Sequence, residues 1–426
     1  MDIISSSIIG IGADIKTAAE VMNYVWFIAL PPILFFLFKE LWIYHIQSAY
    51  WAAPDWVVLE IIPPKNIEKS PKPMEALFTT FAGVEKSFDI AEEYISGMFP
   101  DYMSLEIVSN EGSVHFYIRS MKKYRHLVEA ALYAQYPDVE ILEVPDYVNE
   151  VPRVIPNGQW DLWGADIAFT NKHDGYPIRT YAQFEEDITG TMIDPLAGLL
   201  EVMGKLGPGQ QMWLQWVIYP KSPSWGLKAG KALADKLKGK EKIEKSLLES
   251  VWTDFQHVVT HLFAGLKGPV EFPAEKKKED QPLDTRLSPG ERDVLKAVEE
   301  NLGKWQFGVK GRYVYLGRRE NFDKALGVSG FWGSLKQFND DNMNGFKPDN
   351  TSKTFANWIN QRNRLRYRQR KILRRYRTRN KDGVMITLST AELATIFHLP
   401  DMNVMAPSLT RVEAKRGGAP SNLPIE

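Results

Sequence analysis

The chain has 426 residues, of which 44% are hydrophobic and 25% are charged, and this ordinary globular balance excludes a mainly disordered or fibrous protein. Its 52 basic and 53 acidic residues give a formal net charge of −1, so the overall charge does not indicate a nucleic-acid-binding protein. The absence of cysteine excludes disulfides, thiolate zinc sites, iron–sulfur clusters and cysteine nucleophiles.

The first predicted element is a membrane helix near the start of the chain. Residues 21–38 contain no charged side chain over 18 positions, about the minimum needed to cross a hydrocarbon layer. The apolar character resumes after Lys39 and Glu40, so the helix could extend to residue 46. We therefore expect residues 1–50 to form an N-terminal segment with a single transmembrane helix. The alternative is a buried core helix.

A first α/β unit is predicted over residues 54–150. Its elements, in order, are a strand at 57–62, a helix at 74–81, strands at 105–108 and 114–118, a helix at 122–136 and a strand at 139–144. This β-α-β-β-α-β order is typical of the ferredoxin-like arrangement.

A second, looser unit of the same kind is predicted over residues 158–340. Its elements are strands at 162–170, 210–219 and 307–316 and helices at 195–205, from 288 and at 322–338. A Lys-rich helical insertion and a charged linker interrupt it at 222–287. The expected fold class is therefore α+β: an N-terminal transmembrane helix, two ferredoxin-like units, the second with the insertion, and then a basic helix.

No motif for catalysis, a cofactor or a metal is recognisable. The segment at 226–232 resembles a phosphate loop. It has one residue too few between Gly226 and Gly230, and Ala232 lacks the hydroxyl that would hold magnesium. His257 and His261 are one helical turn apart, but Val258 stands where a metalloprotease has its glutamate. We expect a non-catalytic protein without a catalytic, cofactor-binding or metal site.

The strongest local signal is a basic helix within residues 351–382. Eleven Arg or Lys residues and no acidic residue lie from Arg362 to Lys381. A narrow apolar stripe runs along the same helix, with Trp358, Leu365 and Ile372 recurring every seven residues. Because the guanidinium is planar and donates two parallel hydrogen bonds, arginine suits phosphate. Three contacts remain open: nucleic acid, anionic lipid, or the acidic body of this chain or a partner protein. The candidate contact residues are Arg362, Arg364, Arg366, Arg368, Arg370, Lys371, Arg374, Arg375, Arg377 and Arg379.

The final predicted segment, residues 383–426, contains a short helix and a flexible tail. The helix begins with a capping box, Ser389 to Glu392, and the tail from 407 is polar and rich in Gly and Pro.

Several phrases in the chain resemble one protein family. They are Pro63-Pro64-Lys65, Ser70 to Glu75, Ser104 to Val108, Leu127 to Ala130, Tyr133 to Asp138, Leu388 to Ala394, Phe397 to Pro400 and Ala419 to Pro424. Together they resemble the membrane-proximal N-terminal region of type IV secretion and conjugative DNA transfer ATPases of the HerA/FtsK-like class. In that family the last phrase precedes the ATPase motor, and the sequence ends at Glu426 without it.

This resemblance implies a non-catalytic, membrane-anchored component of a type IV secretion or conjugation-like apparatus for DNA or protein. It would serve as platform for a HerA/FtsK-like ATPase, on a separate chain or in a missing C-terminal part, and could bind DNA or form homo-oligomers. The implied location is the bacterial inner membrane, single-pass, with the bulk of the chain cytoplasmic. The alternative is a membrane-tethered nucleic-acid-binding protein unrelated to secretion.

Overall fold

The fold was obtained as a computed structural model. It describes residues 26–27, 30–50, 54–65, 67, 70–171, 173–184, 193–222, 230–237, 287–358, 360–380, 382–402 and 411. Two compact units are distinguished: residues 1–56 with 86–101, and residues 57–85 with 102–426.

The larger unit is built on one sheet of nine strands. The strands are β1 (Trp56–Ile62), β2 (Met103–Asn110), β3 (Ser113–Met121), β4 (Glu140–Val144), β5 (Trp160–Phe169), β6 (Gln210–Pro220), β7 (Gln306–Arg318), β8 (Phe346–Pro348) and β9 (Ile386–Ser389). Their order is β4-β1-β3-β2-β6-β7-β5-β8, with β9 paired to β7. The β7 strand has 13 residues, long enough to pair with β6 along one side and with both β5 and β9 along the other.

This sheet corrects the predicted fold class. The two stretches that we expected to form separate ferredoxin-like units belong to one continuous antiparallel sheet, because β2 pairs with β6 over eight residues, from Met103 opposite Ile218 to Asn110 opposite Gln211. The sequence shows each strand but not its neighbour, since both strands are apolar and either could equally have been an edge. The fold is a mixed α/β structure with a nine-stranded antiparallel sheet.

The α-helices are named in chain order. They are α1 (residues 30–50), α2 (Lys72–Ala82), α3 (Ile90–Tyr94), α4 (Arg125–Gln135), α5 (Ala197–Gly204), α6 (Lys231–Leu237), α7 (Pro289–Leu302), α8 (Phe331–Leu335), α9 (Gln361–Thr378) and α10 (Thr390–Ile396). The capping boxes predicted for α7 and α10 are confirmed, with Ser288 and Ser389 each accepting a hydrogen bond from the third helical amide. Most of the insertion and linker at 222–287, and the tail after 402 except residue 411, lie outside the described residues.

The sheet has a core on each face because successive side chains of a strand point to opposite sides. Helices α2, α4, α5, α8 and α10 contribute buried side chains to the larger core. The smaller core contains Val108, Trp213 and Val314 from the strands and three residues of α9. Helix α9, which we call the arginine helix, therefore lies on the face of the sheet opposite α2, α4, α5, α8 and α10.

The smaller unit contains α1 and α3. The indole N–H of Trp42 donates to the carbonyl of Tyr94 at 2.8 Å, and Lys39 lies 5.1 Å from the centre of the Tyr94 ring. Only glycine fits at position 97, where φ is +66° and a Cβ atom would lie 2.6 Å from the backbone of Ile46. These contacts join the two helices within this unit.

The predicted transmembrane helix is wrong. None of the helices in the described residues is both long and apolar enough to cross a membrane. Within α1, which begins at residue 30, only residues 30–38 precede Lys39 and Glu40, and this uncharged stretch is shorter than a membrane span requires. The predicted single-pass placement in a bacterial inner membrane is wrong for the same reason. Several apolar side chains of this helix, including Phe35 and Phe36, are more than 60% exposed.

Candidate functional site

The arginine helix spans Gln361–Thr378 and carries nine basic residues and no acidic one. A left-handed residue lies at each end: Asn360 at φ +57° and Arg379 at φ +47°. The basic residues of its last turn, Arg375 and Arg377, lie where the helix dipole favours cations. The helix predicted from the basic run is thus present. Its side chains form two groups, one facing the sheet and one facing solvent.

The inward group begins with the residues that hold the helix on the sheet. Ile372, Leu373 and Tyr376 are at most 2% exposed and belong to the smaller core. The predicted apolar stripe is thus real in its C-terminal half, but Trp358, at its predicted start, is 87% exposed. Glycine at position 164 permits this close approach, since a Cβ there would lie 3.2 Å from Ile372 and 2.9 Å from the carbonyl oxygen of Tyr313.

Arg379 is buried between two carboxylates at the end of the helix. Its guanidinium donates to the two oxygens of Glu106 at 3.0 Å each, and to those of Asp146 at 2.6 and 2.9 Å. The hydroxyl of Tyr147 also donates to Glu106, at 2.6 Å, and lies 2.8 Å from the hydroxyl of Tyr376. This ion pair joins the helix end to β2 and to the segment after β4.

The surroundings of Glu106 favour its charged form. Burial alone would raise the pKa of Glu106, but the charge and hydrogen bonds of Arg379, together with Ser104 and Tyr147, outweigh burial and lower the pKa to about 2. The carboxylate is therefore ionised at every physiological pH. Removing its partner would leave a buried charge without compensation.

A second ion pair joins the helix to the middle of the sheet. Arg375 donates to Asp166 on β5 at 2.9 Å, and the Nε of Arg312 on β7 lies 3.5 Å from the same carboxylate. Arg312 also donates to the backbone carbonyls of Arg375 at 3.2 Å and Asn380 at 2.6 Å. Burial raises the pKa of Asp166 even though both arginines oppose that shift. This cluster is buried, with Arg312 at 0% exposure.

Three further arginines donate to backbone carbonyls. Arg377 donates to three consecutive residues at 151–153, over 2.9–3.2 Å. Arg368 donates to Lys353 at 3.1 Å and to Phe355 at 2.5 Å, and Arg364 to Asn357 at 2.9 Å. These side chains hold the adjacent loops against the helix through hydrogen bonds.

The outward group is a row of exposed arginines at intervals of four residues, Arg362, Arg366, Arg370 and Arg374. In the part of the chain that the structure describes, none of the four has a carboxylate partner. Residues four apart on a helix are neighbours, and like charges there destabilise a helix by about 0.2–0.5 kcal/mol per pair. Lys371 lies beside them, 5.8 Å from the ring of Tyr367. We call the four residues the arginine row.

The structure therefore separates the predicted site residues by role. Arg375 and Arg379 form ion pairs with carboxylates of this chain, whereas the four residues of the arginine row have no carboxylate partner among the described residues. The sequence interpretation missed the acidic partners Glu106, Asp146 and Asp166, of which Glu106 and Asp166 are buried. A signal for two of them exists: Glu106 and Asp166 each lie within an apolar strand, where a charge requires a partner.

Among the described residues, no group of three or more His, Asp or Glu side chains could hold a metal ion. The histidines at 257 and 261 and most of the glycine-containing stretch at 226–232 lie outside the described residues. Glu392 is fully buried, and burial raises its pKa to about 7, but its oxygens accept the amides of Ile178 and Ser389, as expected for a helix cap. The arginine row is therefore the candidate site.

No curated protein matches this chain in sequence. A family profile does match, over residues 48–411, and thus covers the nine strands and the arginine helix. Its description, Domain of unknown function (DUF8128), assigns no activity or partner. Because this match covers most of the chain, the protein belongs to the family described as Domain of unknown function (DUF8128).

Proposed function

We propose that the protein is a non-catalytic platform of a type IV secretion or conjugation-like transfer apparatus, and that it works with a HerA/FtsK-like ATPase. The proposal rests on the sequence phrases that resemble such ATPases, most of which lie on or directly beside α2, β2, α4, β9 and α10. The observation that carries it is the arginine row: four outward arginines on a helix fixed to the sheet. A rigid, positively charged surface is suited to bind an anionic partner in a fixed position.

We further propose that the row holds the phosphate backbone of the transferred DNA. From Arg362 to Arg374 the helix advances about 18 Å, a length over which duplex DNA carries roughly ten phosphates on its two strands. Half or more of the hydrogen bonds between proteins and DNA go to the backbone, and arginine is a frequent donor. An acidic surface of the ATPase is the other anionic partner that the row could take.

Affinity purification from native cells tests the platform. The tagged full chain is compared with a row variant, in which Arg362, Arg366, Arg370 and Arg374 are replaced by Gln. The control is a lysine variant that removes the same charge elsewhere, with exposed Lys122, Lys205, Lys296 and Lys336 replaced by Gln. Partners are identified by mass spectrometry, and bound DNA is measured after nuclease treatment.

Recovery of a HerA/FtsK-like ATPase with the wild-type chain would support the platform. Loss of bound DNA in the row variant, with the ATPase retained, would place DNA on the row; loss of the ATPase in that variant would place the motor there instead. Failure to recover such an ATPase would refute the platform. If DNA alone were recovered, the second candidate function, nucleic-acid binding outside secretion, would take its place, since the arginine row supports that function equally.

A further inference from the structure

A cleft of about 860 Å³ lies between the arginine helix and residues 146–155, which follow β4. Four arginines line it: Arg153 from the segment and Arg370, Arg374 and Arg377 from the helix. Only the last part of the arginine row belongs to this cleft. Its volume lies within the roughly 300–1,000 Å³ that is usual for small-molecule sites.

The wall of the cleft is fixed by the fold. Val148, near the start of this segment, and Ile155, at its end, are at most 4% exposed and belong to the smaller core. Between them, Arg377 donates from both terminal nitrogens to the carbonyls of Val151, Pro152 and Arg153 at 2.9–3.2 Å. The backbone that carries Arg153 is therefore held against the helix that carries Arg370 and Arg374.

The charge of the cleft is positive and uncompensated. Asp146 is the one acidic residue among those that line it, and both of its oxygens accept hydrogen bonds from Arg379. In the described residues Arg153, Arg370 and Arg374 have no carboxylate partner. Burial and the nearby charge of Arg153 lower the pKa of Arg377, so these two cations lie close enough to repel. An anion between them would relieve this repulsion.

We propose that the cleft binds a small phosphorylated molecule, with its phosphoryl oxygens held by Arg153, Arg370 and Arg374. A guanidinium group can donate two parallel hydrogen bonds to phosphoryl oxygens, and three such groups lining one cleft suit a ligand with several charged oxygens. Leu373 and the half-exposed Val154 line the same cleft and offer an apolar contact for the rest of the ligand. This proposal does not depend on DNA binding or on an ATPase partner.

Calorimetric titration of the full chain with inorganic phosphate, pyrophosphate and ADP tests the proposal. We expect ADP or pyrophosphate to bind the wild-type chain more tightly than inorganic phosphate, and Arg153→Gln to weaken that binding at least tenfold. The matched control is Arg362→Gln, which removes the same charge from the arginine row outside the cleft and should change the affinity less than twofold. Arg153 is exposed, so its substitution should leave the fold intact, which circular dichroism checks.

Three results would overturn the proposal. One is that none of these probes binds the wild-type chain with a Kd below about 1 mM. Another is that Arg153→Gln and Arg362→Gln weaken binding equally, which would show attraction by net charge alone. The third is binding to vesicles of anionic phospholipid without binding to any soluble probe, which would identify a lipid surface instead. Since Arg153 lies outside the arginine row, a loss confined to Arg153→Gln leaves the DNA proposal untouched.

Discussion

Replacing Arg379 with Met tests whether the buried ion pair fixes the arginine helix to the sheet. The substitution keeps much of the length of the side chain and removes four hydrogen bonds to Glu106 and Asp146. Glu106, which is 0% exposed, would then carry a charge without an ionic partner. Breaking a buried ion pair in this way costs about 3–5 kcal/mol, because the remaining charge stays desolvated.

The pKa of Glu106 gives a second route to the magnitude. Its fall from 4.5 to about 2 corresponds to roughly 3 kcal/mol of stabilisation of the charged form. We therefore expect Arg379→Met to lower the free energy of unfolding by about 3–5 kcal/mol. Adding Glu106→Gln should recover part of that loss, because the uncompensated charge is then gone.

Urea unfolding at pH 7, followed by tryptophan fluorescence, measures these free energies for the two single variants and the double variant. Arg374→Met is the control, since it removes an exposed arginine from the same helix and should change the free energy of unfolding by no more than about 0.5 kcal/mol. If Arg379→Met costs less than about 1 kcal/mol, or if its effect and that of Glu106→Gln simply add, the ion pair does not hold the helix and the reasoning is refuted.

Three further predictions concern stability. Because the pKa of Glu106 is lowered to about 2, its ionised carboxylate contributes fully to the free energy of unfolding above about pH 4.5, and this contribution is lost as the pH falls toward 2. On acidification over this range, Glu106→Gln should therefore lose less free energy of unfolding than the wild-type chain. The pKa of Glu392 is raised to about 7, so the free energy of unfolding should decline as the pH rises from 4.5 through 7. Urea unfolding at several pH values across that range should show a smaller decline for Glu392→Gln than for the wild-type chain. Gly164→Ala should lower the free energy of unfolding by about 1–3 kcal/mol, because the new Cβ would press on the carbonyl oxygen of Tyr313 and on Ile372. Gly158→Ala should cost much less, since no described atom lies within 4 Å of its new Cβ.

Local structure was largely readable from the sequence. Short runs rich in apolar residues predicted the strands at 57–62, 210–219 and 307–316, and the structure places β1, β6 and β7 there. Capping chemistry located the starts of α7 and α10. These features depend on residues close together in the chain, and the same is true of the arginine helix, whose composition and spacing define it.

Contacts between residues far apart in the sequence could not be predicted in the same way. The join of β2 to β6 depends on residues about 100 positions apart, and the sequence does not mark which edges meet. The division of the arginine helix depends on Glu106 and Asp166, which lie 273 and 209 residues from Arg379 and Arg375. A count of basic residues treats all ten candidates alike, although Arg379 is buried and Arg374 is exposed.

The apolar run at 21–38 shows a different kind of failure. A hydropathy window sees uncharged residues, but the helix at 30–50 also contains Lys39, Glu40 and His45, so its apolar and polar residues share one element. The end of an apolar run and the end of a helix are separate properties of a sequence.

The most direct test of the central claim, that the outward arginines form the binding surface, is a salt titration of DNA binding. Fluorescence anisotropy with a labelled duplex compares the wild-type chain, the row variant and the lysine variant. If the arginine row contacts four phosphates, the row variant should bind far more weakly, and the slope of log affinity against log salt should become shallower by about 3–4. The lysine variant should stay close to wild type. Equal affinity and equal slope in the wild type and the row variant would contradict the claim.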